Sequence, residues 1–226
     1  MQRRQFIGST LAASVALFGP GRAHAAGAGP LTPLPRRKLV RVAFMIGDNA
    51  NVIDTAGPWE VFQDVASGEV GCELYTVAPA HGLLKMTGGL QVEPNYSIDD
   101  APQPHVIVVP AHRATDKSRE WLRAASAGTD VTMSVCTGAF QLARAGLLKG
   151  IPTTTHHHFF ESFAQEFPDI ELRRGLRFVD NGRIASAGGL TSGIDLALHI
   201  VARYFGIEVA TATAEYMEYS SDAWRA

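Results

Sequence analysis

The feature that most constrains this chain is a repeated alternation of short apolar, β-branched runs with stretches of helical spacing. Val40 to Met45, Glu73 to Ala78, His105 to Val109 and Val131 to Val135 read as strands, the third ended by Pro110. A strand buried on both faces has this composition, because helices covering both sides of a parallel sheet leave no face for polar residues. Between and after these runs, Gly57 to Val65, Lys117 to Ala127, Thr137 to Ala145, Phe159 to Phe167 and Ser192 to Phe205 carry the apolar spacing of helices. Thr153 to Thr155 reads as a further short strand. Arg177 to Val179 and Arg183 to Ser186 flank Asp180-Asn181-Gly182, whose Asn-Gly pair signals a hairpin. The fold expected is α/β, a mostly parallel sheet with helices on both faces and right-handed crossovers, plus an added antiparallel hairpin.

A chain of 226 residues, 46% hydrophobic and 19% charged, has material for one core, which places a single domain at residues 39–226. Residues 1–25 do not fit it. Arg3-Arg4-Gln5-Phe6-Ile7 leads into an apolar run ending at Phe18, and Ala23-His24-Ala25 has the small-x-small form of a cleavage site. The arginine pair resembles a twin-arginine export signal, so a periplasmic location is expected, with residues 26–38 as a Gly/Ala/Pro-rich linker. The apolar run is too short to span a bilayer, and no membrane association is expected after cleavage. Losing Arg3, Arg4 and Arg22 takes the formal net charge from −2 to −5. With no basic stripe, nucleic acid is not an expected partner, whereas a small-molecule substrate is.

Val131-Thr-Met-Ser-Val135-Cys136-Thr137-Gly138-Ala139 sets an apolar strand directly against a helical run. A side chain at that junction is held out at the top of the sheet in a turn that tolerates only small neighbours, which is the logic of a nucleophile elbow. The amides of the following turn favour thiolate over thiol, so the Cys136 pKa is expected to be depressed, with the Thr137 N–H open to an oxyanion. The spacing is equally compatible with Cys136 as a small buried hydrophobe.

Ser134-Val-Cys136-Thr-Gly-Ala-Phe140, Ala145-Gly-Leu-Leu-Lys-Gly150, Thr154-Thr155-His156 and Gly189-Leu-Thr-Ser-Gly-Ile-Asp-Leu-Ala-Leu198 together resemble the ThiJ/PfpI superfamily, in particular isonitrile hydratases and the amidase-like domains of AraC-type regulators. The likeness runs from about Val40 to about Phe205. It implies a flavodoxin-like, class I glutamine amidotransferase-like fold and a homodimer. Ile53-Asp54-Thr-Ala-Gly57-Pro-Trp-Glu-Val-Phe62 is similar to a family motif whose aspartate works with the cysteine. On that resemblance Asp54 handles the proton while Cys136 attacks. From the residues alone, Asp54 is also a good N-cap for the helix after it, and the two roles are compatible.

Two departures bear on the chemistry. Relatives carry Pro-Gly-Gly where this chain has Pro110-Ala111-His112, so the resemblance puts the second half of an oxyanion hole at the amides of Ala111 or His112, at positions where a side chain penalises positive φ. Protease-like relatives place a histidine directly after the cysteine; here Thr137 stands there, which favours the hydratase-like branch. His156 could face the pocket as an orienting group, and Gly57 and Gly188 could leave room for a ligand. His156-His157-His158 invites a metal reading, but consecutive side chains point apart, so no metal site is expected. Cys72 reads as core, and Asp195 with His199, four apart, as a local polar pair. The activity expected is cofactor-free, cysteine-dependent hydration or hydrolysis of a small electrophile, of the kind that turns an isonitrile and water into an N-formamide. A non-catalytic periplasmic binding or sensing module and a glyoxalase-like or oxidative-stress protective protein are the competing readings. No helix-turn-helix pattern follows Phe205, and with the export signal this argues against a DNA-binding regulator.

Overall fold

A computed structural model describes residues 34–65 and 70–225. The expected signal segment, residues 1–25, and most of the linker lie outside the described residues. Seven strands form one sheet in the order β5-β2-β1-β6-β7-β9-β8. They are β1 (Leu39–Met45), β2 (Gly71–Ala78), β5 (Tyr96–Ser97), β6 (Val106–Val109), β7 (Val131–Val135), β8 (Phe178–Asp180) and β9 (Ile184–Ala187). All neighbours run parallel except β8 and β9, so the added hairpin is antiparallel as expected. Its turn is closed by Gly182 at φ +91°, with the Asp180 carboxylate accepting the Gly182 N–H at 2.8 Å.

Alternation along each strand sends side chains into two layers. Val40, Val42 and Phe44 of β1, with Val106 and Val108 of β6, face α1 (Val52–Gln63), α5 (Ser192–Phe205) and α6 (Ile207–Tyr216). Ile107 and Val109 face α2 (Asp116–Ser126), α3 (Gly138–Arg144) and α4 (Phe160–Glu166), where Leu122, Leu142 and Phe163 are fully buried. Both faces are covered, which is why the strands could be read from unbroken apolar runs.

Several expectations need correction. Thr153 to Thr155 forms no strand: only an isolated bridge joins Thr153 to Leu172, the Thr155 hydroxyl donates to the Cys136 carbonyl, and the buried Thr154 hydroxyl has no partner among the described residues. The first helix begins at Val52, earlier than Gly57, because Asn51 caps it by accepting the amides of Ile53 and Asp54. Asp54 is therefore not the cap. A small antiparallel sheet of β3 (Leu84–Lys85) and β4 (Gln91–Val92), together with β5, occupies a stretch whose two-residue strands are too short to show periodicity. After Phe205, Gly206 at φ +98° lets the chain turn into α6, and a 3-10 turn at Ala223–Arg225 buries Trp224. Asp195 and His199 do not pair with each other. Asp195 takes Arg177 and Ser221, while His199 bridges the Asp180 carboxylate at 3.0 Å and the Trp224 carbonyl at 3.2 Å.

Candidate active site

Cys136 is the first of the two residues between β7 and α3, and its φ is +58°. A non-glycine residue there stores on the order of 1–3 kcal/mol of backbone strain, which the surroundings must hold. They do so on both sides. The Cys136 N–H donates to the Gly188 carbonyl at 2.8 Å, and the Cys136 carbonyl accepts the Thr155 hydroxyl at 2.8 Å. Gly138 explains why small residues follow: a Cβ there would overlap the Val109 carbonyl oxygen, so any larger residue would push the first turn of α3 off the end of β6. The elbow is thus built as the sequence implied.

Asp54, fully buried on α1, comes to the same point. Its Oδ2 accepts the Ala111 N–H at 3.2 Å and Oδ1 is buried without a hydrogen-bond partner among the described residues, while the Cys136 thiol and the Leu190 amide also act on the carboxyl. Burial raises its pKa to about 6, opposed by the amides of Ala111 and Leu190 and by the thiol. Cys136 moves the opposite way from expectation. Burial first, then the Asp54 charge, push its thiol up to about 12, and the amides of Thr137 and Leu190 only partly offset them. Helix α3 has seven residues, and the thiol of a residue only 6% exposed loses more by leaving water than one short turn returns. The resting group is a thiol beside a carboxylate.

The expected oxyanion hole is rearranged. Ala111 is committed at both backbone groups, donating to Asp54 and accepting the Asn51 N–H at 2.8 Å, so its amide is not free for substrate. The His112 imidazole folds back onto its own loop, Nδ1 against the Pro110 carbonyl at 2.8 Å and its Cδ2 edge against Gly47. Burial lowers its pKa to about 4, so it is a neutral ring with Nε2 buried and unpartnered, not a second acid. The Thr137 amide faces the Cys136 sulfur.

The residue that sequence reasoning missed is Leu190. It stands at the junction of β9 and α5 with φ +55°, and its amide faces both the Cys136 sulfur and the Asp54 carboxyl. Gly188-Gly189 just before it was the available signal, marking a second strand-to-helix turn beside the first. Gly188 reaches Cys136 through its carbonyl. Gly57 lets α1 pack closely on α5, since a Cβ there would press on Ile194. His156 makes no hydrogen bond to Cys136; its ring packs on Gly189, and it is Thr155 that touches the cysteine backbone. Cys72 is half-buried in β2, and both cysteines are free.

An apolar cavity of about 230 Å³ is lined by Ile46, Val52, Thr55, Ala56, Trp59 and Met86 among others. At 100° per residue, Val52, Thr55, Ala56 and Trp59 share the face of α1 turned away from Asp54.

The model of the DJ-1/PfpI family matches residues 40–203. The chain belongs to the DJ-1/PfpI family. Among curated relatives, the HTH-type transcriptional regulator GbdR of Pseudomonas aeruginosa is 30% identical over 84% of this chain and 53% of its own length. The chain thus spans about half of that regulator. Isonitrile hydratase of Pseudomonas putida is 26% identical over 80% of this chain and 79% of its own length. The crystal structure of a ThiJ/PfpI family protein from Pseudomonas syringae superposes with a TM-score of 0.71 at 22% identity, covering 84% of this chain and 78% of that one. The DJ-1/PfpI family therefore includes enzymes, and this chain has the family's α/β fold.

Proposed function

We propose that this protein is a cysteine-dependent hydratase or hydrolase of a small uncharged electrophile, with isonitrile hydration as the specific reaction. The observation that carries this reading is the buried pair of Asp54 and Cys136, in which the carboxyl is raised to about 6 and the thiol to about 12. At neutral pH the carboxylate is the base and the thiol the acid of a pair that needs no metal or organic cofactor. Transfer of the thiol proton to Asp54 accompanies attack of sulfur on the terminal carbon of R–NC. Asp54 returns that proton to the carbon, giving a thioimidate, R–N=CH–S. Water adds to this carbon, and the C–S bond breaks to release R–NH–CHO and restore the thiol, so one water is consumed per formamide.

The amides of Thr137 and Leu190 are placed to stabilise charge on sulfur as it develops and again as it leaves. An uncharged substrate suits a site whose protein lining already carries one unneutralised carboxylate. The test is turnover of aryl and alkyl isonitriles to formamides, followed by infrared loss of the isonitrile band, with Cys136→Ala as control. No formamide across the panel would remove the substrate assignment.

A binding or sensing role without catalysis is the second reading, favoured by the resting thiol, by the closure of the Ala111 amide and by the likeness to a regulator. Saturable binding of an isonitrile without turnover would decide for it. We further propose export through the leading arginine pair, which N-terminal sequencing of the mature protein would test by finding Ala26 first.

A further inference from the structure

Beside the cysteine turn, the chain enters a 3-10 turn at His157–Phe159 from an extended His156 at φ −62° and ψ 132°. Consecutive side chains diverge in a regular helix or strand, but this change of backbone folds the first ring back over the next two. The ring centroids of His156, His157 and His158 lie 4.2 to 5.1 Å apart. One nitrogen from each ring lies within 4.8 Å of the others. Among the described residues no carboxylate pairs with any of the three rings, and the nearby Glu161 is held by Arg174. Three basic rings have thus been gathered with no anion to explain it.

We propose that His156, His157 and His158 form a three-imidazole site for a borderline divalent transition ion of the Zn²⁺, Co²⁺ and Cu²⁺ class, at the rim of the Cys136 turn. Imidazole nitrogen is the donor these ions share, and hard ions such as Mg²⁺ and Ca²⁺ are disfavoured by a set with no oxygen.

The donor atom of His156 can be assigned. Its Cδ2–Nε2 edge is pressed against Gly189, while Nδ1 points outward and accepts the His158 N–H at 3.2 Å. Accepting a proton there leaves the ring hydrogen on Nε2, so the Nδ1 lone pair is the one aimed at the cluster. An ion at Nδ1 would displace the His158 amide, which is exposed and can turn to water instead. The metal–nitrogen distance of roughly 2.0–2.1 Å puts tetrahedral ligands about 3.4 Å apart. Closing from 4.8 Å requires only rotation of His157 and His158, both exposed, around a half-buried His156 that Gly189 holds in place. Metal binding needs the rings neutral, so occupancy should fall as the solution is made acidic. Three protein ligands leave a fourth position for water or an incoming ligand.

The test uses the untagged full chain. Co²⁺ is titrated while the visible d–d bands are followed, Zn²⁺ binding is measured by calorimetry, and Cu²⁺ is examined by electron paramagnetic resonance for nitrogen hyperfine structure. The expected result is one ion per chain with nitrogen ligation. The double variant His157→Ala/His158→Ala should bind on the order of 100-fold more weakly, two of three ligands being gone, while its metal-free melting curve stays unchanged because both rings are exposed. Cys136→Ser should bind as the parent does. Binding unchanged in the double variant, binding lost in Cys136→Ser, or no binding at micromolar ion would each overturn the proposal.

Discussion

Replacing Asp54 by asparagine removes a charge while keeping an oxygen that can accept the Ala111 amide, so it isolates the electrostatic part of the site. With the thiol at about 12, roughly one sulfur in 10⁴ is ionised at pH 8. Burial is the larger cause of that rise and stays in the variant; the Asp54 charge is the second and goes. A relief of about one pKa unit makes alkylation of Cys136 by iodoacetamide about tenfold faster. Turnover should move in the opposite direction, falling about 10²- to 10⁴-fold with loss of the base. The same change has a stability signature. A carboxyl at about 6 when folded, against 3.8 as its ordinary value, binds its proton more tightly in the fold, so its contribution is present below about pH 4 and is lost as pH rises to about 6. Over that window the loss is about 3 kcal/mol, undiminished by solvent because the group is fully buried. Asp54→Asn should therefore be more stable than the parent by up to about 3 kcal/mol at pH 7, and equal to it near pH 3.5, in urea unfolding at the two pH values. An unchanged alkylation rate together with an unchanged pH dependence of stability would refute the claim that a buried carboxylate faces the sulfur.

Gly138→Ala sets a Cβ against the Val109 carbonyl, and circular dichroism melts should show a loss of about 3 kcal/mol or an unfolded chain. Asp180→Ala strips the carboxylate from Arg203, with its side chain only 9% exposed, and from His199, and should cost about 3–5 kcal/mol in urea unfolding. It should leave the Cys136 alkylation rate of the folded protein unaltered. Leu190→Gly keeps the amide and relieves a positive φ, so isonitrile turnover should stay within a few-fold of the parent while stability holds or rises by up to about 1 kcal/mol.

Much of the frame was legible because it rests on local periodicity. Val106–Val109 is apolar at every position, and only a strand covered on both faces needs that. The elbow at Cys136 follows from a strand running straight into a helix, and the Asn181-Gly182 turn from the need for positive φ. Short runs carry less of the fold, because composition over three or four residues does not fix partners. The threonines at 153–155 look like a strand by composition but spend their groups on partners such as the Ser186 hydroxyl, which accepts the Thr154 N–H, and the Cys136 carbonyl. Asp54 has the chemistry of a cap, but Asn51, three residues earlier, has the extended backbone and the accepting oxygen that cap the helix.

What the sequence determined by itself was therefore the order of layers, the place of the cysteine and the family to which the chain belongs. Only the tertiary structure decided what that cysteine is. Asp54 meets the Ala111 amide across 57 residues of chain, and Leu190 reaches the same sulfur from a different strand end. Those approaches bury the thiol, commit the Ala111 amide to Asp54 and bring the Leu190 amide to the sulfur. The physical reason is that a pKa is set by the dielectric and the charges within a few ångströms, and neighbours in space need not be neighbours in sequence. The convergence of His156, His157 and His158 has the same origin, since one extended residue before a tight turn reverses what side-chain order alone implies.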